Sequence, residues 1–105
     1  MPTLRDLIGE DPTAYEFEYR THATKRMFQR GIFNEDVERV LAHGEVIERH
    51  DDGPPFHQVL VSGRVRFGLT LHVAVVADTR EKRLTIITTY EPDPLHWTDD
   101  FTRRR

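Results

Sequence analysis

Leu69-Thr-Leu-His-Val-Ala-Val-Val-Ala77 is the longest apolar run in the chain, and its reading decides the fold. It is too short for a membrane span and rich in the β-branched residues that favour strands. That predicts a central strand covered on at least one face. Working outward, Asp78 to Arg83 is polar and reads as a hairpin loop, and Leu84 to Tyr90, with its threonines and isoleucines, as the partner strand. Upstream, Phe56 to Ser62 is a further strand closed by Gly63. Val46 and Ile47 form a short one, ended by the turn residues Asp51-Asp52-Gly53-Pro54-Pro55.

Before Gly44 the apolar period is helical. Tyr15 to Gly31 places Phe17, Tyr19, Ala23, Thr24, Met27 and Phe28 on one half of a helical wheel, with Gly31 as its terminator. Asn34 is a natural N-cap for a second helix over Glu35 to His43, in which Val37, Val40 and Leu41 give i, i+3, i+4 spacing. Thr3 to Ile8 is a helical turn closed by Gly9 and Pro12. After Glu91-Pro-Asp-Pro94 stops the last strand, His96 to Arg103 is either a short helix or a closing segment around Trp97. The fold class is therefore α+β, with two N-terminal helices packed on one face of a curved antiparallel sheet of about four strands. Phe28, Val40, Leu41, Leu71, Val73, Val75 and Ile86 should form its core.

A chain of 105 residues is one domain with one core. It divides into an N-terminal extension over 1–14 and an α+β domain over 15–103. With no cysteine there is no disulfide framework and no thiolate chemistry. No secretory h-region and no membrane-length apolar stretch are present, so the expectation is a soluble, cytoplasmic protein with no membrane partner. The net charge of −3 argues against a general nucleic-acid coat protein. The charge is uneven: Arg20, Lys25, Arg26 and Arg30 outnumber the acids around them, residues 32–53 are strongly acidic, and the chain ends on Arg103-Arg104-Arg105.

Four features carry chemistry. Glu18, His22, Arg26 and Arg30 recur at intervals of four, which on a single helix makes one row in which the two arginines repel. Arg30 should be partly sheltered and so need an anion, which is either a protein carboxylate (Glu45, Glu48 or Glu91) or a substrate phosphate. His72 interrupts the central strand, where a polar group must be hydrogen-bonded. Alternation puts it with Thr70 and Ala74 on the face away from the helices. Tyr90 ends the partner strand as either a proton donor or an aromatic plug, and whether it shares a face with His72 depends on the hairpin register. The six histidines show no i, i+4 pair and no His-Glu-x-x-His motif, so no metal and no other cofactor is expected.

Several strings, taken together, resemble a bacterial family, the domain-of-unknown-function family numbered 4258. They are His22-Ala-Thr-Lys-Arg-Met-Phe-Gln-Arg-Gly-Ile32, Gly44-Glu-Val-Ile-Glu48, Leu71-His-Val-Ala-Val75, Ile87-Thr-Thr-Tyr-Glu-Pro-Asp93 and Trp97. The similarity spans about residues 17 to 103. That family is grouped with RelE/ParE-type and BrnT-type toxin folds, several of which cleave RNA without a metal. The resemblance implies a metal-independent endoribonuclease with His22, Arg26, His72 and Tyr90 as catalytic groups and Arg30 and Arg103 as substrate-binding groups. It also implies RNA and a small antitoxin protein as partners. The acidic balance departs from ribosome-dependent toxins. The alternative is a non-catalytic protein-interaction module on the same fold; a metal-dependent hydrolase would need His22, His72 and a carboxylate at ligand distance. The catalytic reading expects His22, Arg26, Arg30, His72 and Tyr90 to converge on one concave surface.

Overall fold

A computed structural model describes residues 1–105. The elements in chain order are α1 (Leu4–Ile8), a 3-10 turn (Pro12–Ala14), β1 (Glu16–Tyr19), α2 (Thr21–Arg30), α3 (Asn34–His43), β2 (Glu45–Arg49), β3 (Phe56–Arg64), β4 (Thr70–Asp78) and β5 (Arg83–Tyr90), with a second 3-10 turn over Arg66–Gly68. The protein is α+β, built on one five-stranded sheet of order β1-β5-β4-β3-β2. The longest apolar run of the sequence supplies β4, at the centre of the sheet.

The sheet is mixed, which corrects the expectation of a purely antiparallel one. β2 through β5 are antiparallel, but β1 adds to the β5 edge in parallel, with Glu16 opposite Arg83 and Tyr19 opposite Ile86. The helical period read from the sequence includes Glu16-Phe-Glu-Tyr19, which the structure makes a strand. Its strict polar–apolar alternation fits a half-buried edge strand instead, and the open edge of β5 supplies the hydrogen bonds. Helix α2 accordingly begins at Thr21. Helix α3 starts one residue early: Phe33 is the cap, and the Asp36 carboxylate reaches back to the Phe33 N–H at 2.9 Å.

The core lies between the helices and one face of the sheet. Leu71, Val73, Val75 and Ala77 of β4 and Leu84 and Ile86 of β5 meet Ala23 and Met27 of α2 and Val37, Val40 and Leu41 of α3. Leu4 of α1 is fully buried in the same cluster, so residues 1–14 pack with the rest. Of the seven expected core residues six are buried and Phe28 is not; it is 90% exposed. The buried edge of α2 is narrow, only Ala23 and Met27, and Phe28 falls about 100° further round than Met27. Arg30, the last residue of α2, is exposed and forms no ion pair. Glu18, in β1, faces Arg83 at 3.5 Å rather than His22.

The final segment forms no helix. Residues 93–105 are a closing strap in which Trp97 bridges Arg104 and the Arg105 N–H donates to the His96 carbonyl at 2.9 Å.

Candidate functional site

The face of the sheet away from the helices is where the strap lies, and His72 is at the centre of the contact. Leu71 and Val73 point into the core, so His72 points out. It is nonetheless fully buried, because Trp97 stands edge-on to it with ring centroids 4.5 Å apart. Its Nε2 lies 2.8 Å from the Phe101 carbonyl oxygen, which can only accept, so Nε2 carries the proton. Nδ1 is then the acceptor, and the Tyr90 hydroxyl donates to it at 3.2 Å. Burial pushes the imidazole pKa down to about 4, so His72 is neutral at physiological pH. Burial raises the Tyr90 phenol, keeping its proton in place.

Tyr90 reaches this face through a bulge. Leu84 and Ile86 point into the core, and simple alternation would send Thr88 and Tyr90 after them. The register slips instead between Ala74 and Val75: Val75 faces Ile86, Ala74 faces Thr88, and Ile87 is extra. That one residue turns Thr88 and Tyr90 outward and Thr89 inward. The same device acts at the far edge, where the β2–β3 register slips between Val46 and Glu48. Ile47 is the extra residue, and it delivers Glu48 to the outer face opposite Leu60.

Glu48 and Tyr90 thus border one groove of about 200 Å3. It is lined by His50, Gln58, Leu60, Ala74, Ile87, Thr88 and Arg104 as well. Arg104 folds in from the strap. Its guanidinium grips Glu48 in two hydrogen bonds of 2.8 and 3.2 Å and lies 4.6 Å over the Trp97 ring. The Arg104 hydrogen bonds hold the Glu48 carboxyl below its usual pKa, and Glu48 in turn raises that of Arg104. Glu48 also faces His50 Nε2 at 3.1 Å. Chemically, the groove offers a phenol with a fixed proton, an arginine held by a displaceable carboxylate, and an exposed imidazole oriented by the same carboxylate.

Of the sequence-predicted site residues, the structure brings together His72 and Tyr90. His22, Arg26 and Arg30 sit on α2, which packs on the opposite face of the sheet, so the five do not converge. Arg103 is exposed on the strap; the arginine that enters the groove is its neighbour Arg104. Glu48, His50 and Arg104 were missed as site residues. The signal was in the sequence: Val46-Ile47 and Ile86-Ile87 are adjacent apolar pairs that break strand alternation. Each marks a bulge just before a groove residue. No three His, Asp or Glu side chains gather as a metal site would need, and no helix is long and apolar enough to cross a membrane.

Residues 19–91, more than half of the chain, match the family described as Domain of unknown function (DUF4258), and the chain belongs to that family. No solved structure matches it.

Proposed function

We propose that this protein is a metal-independent endoribonuclease of the bacterial toxin type, on a fold of the RelE/BrnT kind, with the outer groove as its active site. The observation that carries the reading is the Tyr90 hydroxyl, fixed by a buried neutral His72 at the wall of a groove that also holds His50, Glu48 and Arg104. Phosphodiester cleavage needs a base for the ribose 2′-OH, a cation for the developing phosphorane charge and an acid for the leaving oxygen. His50, oriented by Glu48, takes the 2′-OH proton. The 2′-oxygen attacks phosphorus, and the bond to the 5′-oxygen breaks. Tyr90 turns its hydroxyl proton from His72 Nδ1 to that oxygen, leaving a 2′,3′-cyclic phosphate and a 5′-hydroxyl, and the phenolate regains a proton from the His50 imidazolium through solvent. Arg104, drawn from Glu48 by the phosphate, stabilises the added charge. His72 positions Tyr90 and does not itself meet substrate. RNA is the substrate, and a small antitoxin protein is the expected partner.

The test is cleavage of a mixed-sequence RNA by the purified chain, with the products' ends identified. Tyr90→Phe and Arg104→Gln should each lower the rate about 100-fold or more, with thermal stability kept near wild type. EDTA should leave the rate unchanged, since side chains supply every step. Cleavage that survives in both variants, or that a chelator abolishes, would refute the site.

A second reading, a non-catalytic protein-interaction module, is favoured by one observation. Phe28 and Phe33, 90% and 53% exposed, flank an apolar groove on the helix side. On the first reading the antitoxin covers that surface; on the second it is the whole function. Absence of any RNA cleavage together with capture of a partner by Phe28 would select the second.

A further inference from the structure

We propose that the helix-side groove receives a second copy of this chain, with Phe28 of each copy entering the groove of the other. The groove is a crevice of about 490 Å3 where α2 meets the start of α3. Tyr19, Met27 and Ile32 line it, Phe28 stands on its α2 wall, and Phe33 and Glu35 stand where α3 begins.

The exposed flank of α2 beside the crevice is shaped for helix packing. At about 100° per residue, Thr21, Thr24 and Phe28 fall on one strip about 60° wide. Their i, i+3, i+7 spacing is that of a docking helix face. All three are exposed and none is charged. Two short side chains beside one large one let another helix approach closely, with Phe28 as the knob. Knob and hole therefore lie on the same surface. That is the condition for an isologous contact, in which a two-fold axis sets each feature against its complement in the other copy.

The charges follow the same plan. Lys25 borders the strip on α2, and Glu35 stands on the opposite wall of the crevice. Both are exposed, and neither forms an ion pair within the chain. A two-fold sets Lys25 of each copy against Glu35 of the other, so one exchange makes two ion pairs. Arg26 and Arg30 lie roughly opposite the strip and take no part. The groove that holds Tyr90 and Arg104 is on the other face of the sheet, so the dimer leaves it open and does not depend on the ribonuclease reading. A foreign protein that covers Phe28 has first to displace the second copy. One helix strip and one crevice per copy make a small contact, which belongs with weak reversible interfaces, with a dissociation constant on the order of 100 μM.

The experiment is sedimentation equilibrium of the full chain from about 5 μM to about 1 mM, over which wild type should pass from monomer to dimer. Phe28→Ser should stay monomeric throughout while melting like wild type. Lys25→Glu and Glu35→Lys each set like charges together and should each weaken the dimer about tenfold. An equimolar mixture of those two variants restores both ion pairs between unlike copies, and it should dimerise as well as wild type. Added salt should weaken the wild-type dimer. A wild-type monomer at every concentration overturns the proposal and leaves the groove to a foreign partner. A dimer that survives Phe28→Ser forms on another surface and overturns it as well. So does a mixture that dimerises no better than its two components, since the copies then do not meet as the two-fold requires.

Discussion

His72 and Tyr90 face each other across β4 and β5, with Nδ1 3.2 Å from the phenolic oxygen, and they do so only because Ile87 is left out of the ladder. Without that slip Tyr90 would share the inward face of Ile86, and the outer face would carry a histidine with nothing to orient. The pair is thus a product of strand register. The strap then seals it from water through Trp97 and the Phe101 carbonyl.

Acid should loosen the fold through His72. Its folded pKa of about 4 lies below the ordinary histidine value of about 6.5, so the unfolded chain binds the extra proton first. The stabilisation is complete above about pH 6.5 and is lost as pH falls towards about 4. Across that window the loss from this residue should be up to about 3 kcal/mol. Urea unfolding at a series of pH values should show it, and His72→Gln should flatten that part of the curve. An unchanged slope in the variant would mean that other groups govern acid sensitivity.

The strap should be held chiefly by Trp97. The indole is buried and touches both His72 and Arg104. Trp97→Ala should cost about 3–5 kcal/mol by removing a large buried aromatic. A structural loss alone would lower stability and nothing else. Opening the strap should also move the His72 titration, read by NMR of the imidazole protons, up towards the ordinary histidine value as water reaches the ring. A His72 titration that stays put would show that the strap remains closed without its anchor.

Much of the architecture was legible because period-2 and period-3.6 patterns are distinct and long in this chain. β4 and α3 were placed within a residue or so of their true ends, and the face of His72 followed from simple alternation. What escaped was non-local. Glu16 to Tyr19 could be told from a helix only by knowing that β5 offers a free edge. Tyr90 could not be given a face until the bulge at Ile87 was seen, and the same holds for Glu48 and Ile47. Arg104 looked like part of a frayed basic tail, because its partners, Glu48 and Trp97, stand at very different sequence separations. The row at residues 18, 22, 26 and 30 dissolved for a local reason: Glu18 is in a strand, and the helix that holds the others turns that flank away from the groove.

The two apolar residues that sequence patterning placed together in the core should now behave differently. Leu71 is buried under α3, and Leu71→Ala should cost about 2–5 kcal/mol in urea unfolding. Phe28 is 90% exposed, and Phe28→Ser should change stability by no more than about 0.5 kcal/mol while lowering any tendency to self-associate. A cost above about 1 kcal/mol at Phe28 would mean that the ring is packed in solution against something the isolated fold does not provide.

The arginines of α2 and Arg104 should separate in their response to salt. Arg26 and Arg30 form no ion pair and stand on the helix side, so on the proposed ribonuclease reading they should meet only the flanking backbone of the RNA. Such contacts neutralise phosphates without touching the scissile bond, and each contributes to the salt slope of binding by releasing counterions. The double variant Arg26→Gln, Arg30→Gln should therefore lower the slope of log affinity against log salt by about 1.4, at about 0.7 per single-strand contact, and leave the single-turnover rate of bound RNA unchanged. Arg104→Gln should do more to the rate than to the slope, since its charge matters most when the phosphate gains electrons. The measurements are fluorescence anisotropy at several salt concentrations and single-turnover cleavage at saturating protein. If instead the α2 variant loses the cleavage rate and Arg104→Gln keeps it, the reacting phosphate lies on the helix side and the outer groove is not the active site.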